Sequence, residues 1–230
     1  MANTNRIKGF SPYSYLNGAP WNGQARLYAI PVADTTASYA IGDVVSSAGG
    51  SDANGVPYVI KVPAANASNF AALGVIVGIR VADPGVSLVG TSLSLEQLYL
   101  NAGTRANVRY VYVADDPMIL FKISGGATAT NLTLAKARYN AGIGSFYSGA
   151  DQTYAIDQNA TVTTLSPSSP YSNIIVSSAT VNTTATLPLQ IVGLVQEPNN
   201  GAGAYSSLLV KFNLHEFGFA PIGGTNFTGL

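Results

Sequence analysis

The sequence contains no cysteine, one histidine and one tryptophan, and only 10% of its 230 residues are charged. Without cysteine there is neither a disulfide framework nor thiolate chemistry. His215 is the sole imidazole, so metal sites built from several His and Cys residues are excluded. A Ser-His-Asp triad would have to use that same residue, and no G-x-S-x-G elbow exists to carry its nucleophile. Glycine-rich phosphate cradles are missing too: "GIGSFY" (142–147) lacks the third glycine and a following helical pattern. Scarce charge also disfavours long solvated helices, which need Glu, Lys and Arg on their outer faces. The 11 basic and 11 acidic residues cancel, which leaves no bulk attraction to nucleic acid. No run of about 20 apolar residues offers a membrane span.

What is present points to β-structure. Hydrophobic residues make up 47% of the chain, with 13 tyrosines and abundant Val, Thr and Gly. A chain of this length buries roughly 70% of its extended surface as one large domain or two small ones. Runs of β-forming residues recur between turns: "PYVIKV" (57–62), "GVIVGIRV" (74–81), "NLTLAKA" (131–137), "TVTTL" (161–165), "NIIVSS" (173–178) and "LPLQIVGLV" (187–195). "SLEQLYL" (94–100) is the one stretch that predicts a helical turn. In "SLLVKFNLHEF" (207–217), Leu208, Val210, Phe212 and Leu214 share one face, with Lys211, Asn213 and His215 on the other. This spacing predicts an all-β sandwich or barrel, with His215 as a polar residue at a strand end.

Residues 1–33 read as a distinct segment. They hold Arg6, Lys8 and Arg26 but no acid, since Asp34 is the first. Pro, Gly and Asn break "SPYSYLNGAPWNGQ" too often for a long element, yet Tyr13, Tyr15 and Trp21 make it too aromatic for a free tail. Two readings follow: an extended basic, aromatic arm lying along another protein, or an arm folded back on its own body, residues 34–230.

"RYVYVADDPMILFKI" (109–123) sets two β runs around Asp115, Asp116 and Pro117. Aspartate bonds readily to nearby backbone amides and proline presets a tight corner, so this predicts the turn of a hairpin rather than a catalytic dyad. Paired carboxylates for glycoside chemistry would have to be assembled from scattered residues such as Asp34, Asp43, Asp52, Asp83 and Glu96. No cofactor is implied by any motif.

Taken in order, the "SPYSYLNGAPWNGQ" arm, "RYVYVADDPMILFKI" and "LPLQIVGLVQEPNNGAGAYSSLLVKFNLHEFG" (187–218) resemble capsid cement or head-decoration proteins of tailed bacteriophages. The likeness covers about half the chain and leaves about 124–186 unmatched, with room for an inserted lobe there. It implies an antiparallel β-sandwich or jelly-roll-like body carrying the arm. It further implies a non-enzymatic virion protein on the capsid exterior, assembled in the host cytoplasm, with the major capsid protein and itself, as dimer or trimer, for partners. Arg6, Lys8, Tyr13, Tyr15, Trp21 and Arg26 are the expected partner contacts. A carbohydrate- or receptor-binding β-module of a tail or surface protein shares the same composition and stands as the alternative.

Overall fold

The computed structural model describes residues 3, 8–62, 71–80, 99–126, 137, 139–145, 172, 174–183 and 187–218. Among them there are strands and turns and no helix. In chain order the strands are β1 (Ser11–Tyr15), β2 (Arg26–Ile30), β3 (Tyr39–Ala40), β4 (Val44–Ser51), β5 (Pro57–Lys61), β6 (Gly74–Ile79) and β7 (Tyr99–Leu100). They continue as β8 (Arg109–Ala114), β9 (Ile119–Ser124), β10 (Asn140–Ser145), β11 (Ile174–Asn182), β12 (Leu189–Leu194) and β13 (Ser207–Phe212). The expected all-β class is what the described residues adopt. Of the predicted helical turn at 94–100, the last two residues are strand β7, and 94–98 lie outside the described residues. The runs at 131–136 and 161–165 lie outside them too.

Two bodies of strands share the chain. β2, β5, β4, β6 and β8 close a five-stranded barrel, and β1, β9, β13, β12, β10 and β11, in that order, form an antiparallel sheet. Every barrel pairing is antiparallel except the seam, where Ala29 of β2 meets Tyr58 of β5 in parallel. The sheet curls until Val176 of β11 bridges Gly125, just past the end of β9. β3 and β7 form a two-stranded flap whose Tyr39 and Leu100 belong to the barrel core.

Strand alternation explains the two cores. Val111 and Val113 of β8 point into the barrel with Ile30, Val45, Val59, Leu73 and Ile76. The next residues along the same strands, Val44, Val75 and Ala114, face outward and meet the inner face of the sheet. There Ile119, Phe121 and Ile123 of β9 pack with Leu208, Val210 and Phe212 of β13, as the alternation of 207–214 predicts. Each such side chain contributes about 1.5–3 kcal/mol by burial.

The N-terminal segment is woven into both bodies. Phe10 is buried among Phe121 and Phe212, with ring centroids 5.9 Å and 5.3 Å away. β1 extends the sheet beside β9, and β2 is a barrel stave beside β8. In its described part, then, residues 1–33 follow the folded-back reading, and the step to residue 34 is a turn between barrel stave β2 and flap strand β3. Entry to the fold is tight at Gly9 and Gly42, whose φ angles of 68° and 96° suit glycine. A methyl group on Gly9 would lie 2.5 Å from Ser172 Cβ, and one on Gly42 would lie 2.5 Å from the Lys8 carbonyl oxygen.

Candidate functional site

The corner at Asp115 joins strands of different bodies. β8 lies in the barrel and β9 in the sheet, and the two do not pair. The expected hairpin is therefore a sheet-to-barrel crossover, because the same Asp-Asp-Pro turn chemistry serves either connection. Asp116 makes the turn: its Oδ1 accepts the Met118 amide at 2.8 Å and its carbonyl accepts the Ile119 amide at 3.1 Å. Asp115 is buried and its Oδ2 accepts the Tyr28 hydroxyl at 2.6 Å, with Arg26 Nε at 3.1 Å. Burial, reinforced by the hydrogen bond to Asp115, pushes the Tyr28 hydroxyl well above its ordinary range. These carboxylates hold backbone and tyrosine in place.

The other acids are employed in the same way. Asp34 accepts the Tyr39 hydroxyl and the Thr36 and Ala37 amides. Asp52 accepts the Tyr110 hydroxyl, which holds its carboxyl below the usual range, along with the Asn54 and Val56 amides. Asp43 pairs with Lys61 at 2.8 Å and accepts the Ala40 amide at 2.8 Å, although its buried Oδ1 finds no donor among the described residues. Glu216 binds the Ser47 amide and hydroxyl and so ties the end of the sheet to β4. Asp83 and Glu96 lie outside the described residues. Among the described residues, no group of three or more His, Cys, Asp or Glu could hold a metal ion.

His215 departs from its expected place at a polar edge. It is 3% exposed, between Phe212 and Phe217, and its Nδ1 accepts the Phe217 amide at 3.1 Å. Burial lowers its pKa to about 4, against a smaller upward pull from Asp116. The imidazole is neutral at pH 7. A bridge between Ala72 and His215 draws this residue inward beyond the end of β13, a long-range pairing that local alternation does not reveal.

The residues expected to contact a partner divide. Arg6 lies outside the described residues. Lys8 and Arg26 are exposed, Arg26 with its guanidinium 5.2 Å from the Phe217 ring centre. Tyr15 and Trp21 pack against the sheet core, and the Tyr15 hydroxyl donates to Asn22 at 3.0 Å. Tyr13 stays 47% exposed, as do Leu16 (47%) and Met118 (50%). The Leu16 amide donates to the Met118 carbonyl at 2.8 Å, so these two exposed residues are neighbours at the corner. Met118 reads in the sequence as the start of a buried strand, which is why it escapes notice there.

The free edge of β1 is already closed. Residues 16–21 fold back so that Tyr15 donates to the Ala19 carbonyl and Trp21 to that of Tyr13, and Pro12 withholds a donor. What this face offers a neighbour is side chains rather than backbone. No known protein family, curated protein or solved structure matches the chain.

Proposed function

We propose that the chain is a non-enzymatic structural virion protein that binds the outer capsid lattice and bridges neighbouring major capsid proteins. The observation that supports this best is that Leu16 and Met118, neighbours at the corner, and Tyr13 of β1 all stay exposed beside an edge whose backbone is closed. Exposed apolar side chains in a group mark an interaction surface. Scarce charge of balanced sign lets many copies crowd without self-repulsion. On a repeating lattice, weak contacts add through multivalency, so no single interface has to be tight. In this reading the curled sheet and the barrel wall facing it act as the two layers of a sandwich-like or jelly-roll-like body. The chain then sits on the capsid exterior as a dimer or trimer, after assembly in the host cytoplasm.

The test is to mix the purified chain with expanded capsids that lack it. Saturation at a fixed stoichiometry, with a higher capsid melting temperature, is the expected result. A chain with both Leu16→Ser and Met118→Ser should stay folded and bind at least tenfold more weakly, since two exposed apolar anchors are lost. Unchanged binding by that variant would overturn the assignment of this surface, and no binding by the parent chain would sink the function. The carbohydrate- or receptor-binding alternative draws on Tyr112, which is 40% exposed on the barrel beside Gly78. It predicts glycan-array binding that disappears in Tyr112→Ala.

A further inference from the structure

Residue 3 makes contacts that neither the fold nor the lattice reading explains. The Asn3 side chain reaches the β12–β13 loop, where its Nδ2 donates to the carbonyls of Gly201 at 2.9 Å and Ala204 at 2.7 Å. Its Oδ1 accepts the Gly201 amide at 2.9 Å, and Ser206 Oγ lies 3.5 Å from Nδ2. Both donors and the acceptor of one carboxamide are therefore matched. The pattern also fixes its orientation: a flipped group, or a carboxylate, would set oxygen against two carbonyl oxygens.

The loop is shaped to present those groups. Asn199 and Tyr205 have φ angles of 63° and 55°, in the left-handed region that a bulky residue such as tyrosine seldom enters. Asn200 braces the loop from within, donating to the carbonyls of Val195 and Ser207 and accepting the Ser207 amide. The single O–H of Ser206 is shared between the Gly201 and Gly203 carbonyls, and the Tyr205 amide donates to that of Gly126. Beside Asn3 the loop leaves a small polar cavity of about 60 Å³, lined by Glu197, Asn200 and Tyr205. Strain held by a dense set of local bonds, around a seat filled by a residue 198 positions away, is what a preformed receptor requires.

We propose that the β12–β13 loop is a receptor site for a primary carboxamide, and that the chain's own Asn3 fills it as a reversible clasp on the N-terminal segment. The segment is held independently at Gly9 and Phe10, where it enters the core, so opening the clasp leaves the fold intact. What the clasp controls rests on the lattice reading above: once open, it frees Asn3 from the loop and leaves the loop's seat open to the partner.

Limited trypsin digestion tests this directly, because Arg6 lies between the clasp and the anchor. The release rate of the N-terminal peptide is followed by mass spectrometry in the parent chain, in Asn3→Ala and in Asn3→Asp, each at several protein concentrations. Both variants should release it about tenfold faster, since several side-chain hydrogen bonds are lost, with the melting temperature unchanged. Parental rates in Asn3→Ala would overturn the clasp. Full protection in Asn3→Asp would overturn recognition of a carboxamide. Protection that grows with protein concentration would overturn the intramolecular occupant and show a second copy in the seat. Capsids take no part in the assay, so a chain that ignores capsids would remove the lattice function and leave this result standing.

Discussion

The barrel and the sheet are held together by different chemistry. Around the barrel, three tyrosine hydroxyls each donate to an aspartate: Tyr28 to Asp115, Tyr39 to Asp34 and Tyr110 to Asp52. The sheet instead centres on three phenylalanines, Phe10, Phe121 and Phe212, all mutually in contact. A hydroxyl–carboxylate bond is directional and costly to leave unmade, so it fixes where turns sit on a small closed barrel. Packed rings supply area with looser geometry, which suits a sheet that must accept a segment from the far end of the chain. Register at the barrel ends is thus set by polar pins, and cohesion of the sheet by bulk.

Removing the ring that the first residues contribute should have the largest effect. Phe10→Ala is expected to cost about 4 kcal/mol in urea unfolding, as transfer energy and a cavity combine. It should also loosen the sheet before the barrel, seen as amide exchange rising first in β9 and β13. Simultaneous loss of protection in barrel and sheet would show that the two bodies unfold as one and that the contrast is only chemical.

Acid probes the junction between the two. His215 has a folded pKa of about 4, below the ordinary 6.5, so the unfolded chain takes up a proton between those values and the folded chain does not. Stability should fall as pH drops from about 6.5 to about 4, by about 3 kcal/mol in all. His215→Gln, which keeps an acceptor for the Phe217 amide, should flatten the melting-temperature profile over that window. A profile unchanged by this substitution would assign the acid sensitivity to other groups.

Smaller effects separate the pins from the packing. Tyr110→Phe leaves Asp52 without its hydroxyl partner and should cost about 1–2 kcal/mol in chemical denaturation, while leaving amide exchange in the sheet unaltered. Trp21→Phe should be close to neutral, within about 1 kcal/mol, because buried Trp21 Nε1 finds no acceptor among the described residues and its loss offsets the lost area. A large loss of stability on that change would mean the indole does more than cover the sheet.

Much of the barrel and sheet is legible in the sequence at the level of single strands. The runs at 57–62, 74–81, 187–195 and 207–217 each contain a strand, since alternation and turn residues act locally. Which strands share a body is not legible. The chemistry of Asp-Asp-Pro is the same whether the chain reverses or crosses over, and only the partners of β8 and β9 decide it. Tyr28 and Asp115 are 87 residues apart and Tyr110 and Asp52 are 58 apart, so neither pin has a local signature. Tyr13 stands out in the sequence because aromatic density in a broken segment is itself unusual, and it stays exposed in the fold. Met118 does not, because a hydrophobic residue at the head of a strand reads as core until the corner turns it outward.

The threading of residues 8–10 has a consequence for how the molecule is made. Gly9 and Phe10 leave the ribosome well before Gly42, Ser172 and Phe212, which form their seats. Contacts between such distant positions carry a high closure cost before they yield any stability, and they slow folding. Gly9 and Phe10 therefore cannot complete these contacts until β13 has been synthesised. A segment made early is thus placed late, and its docking marks the moment at which the sheet is complete.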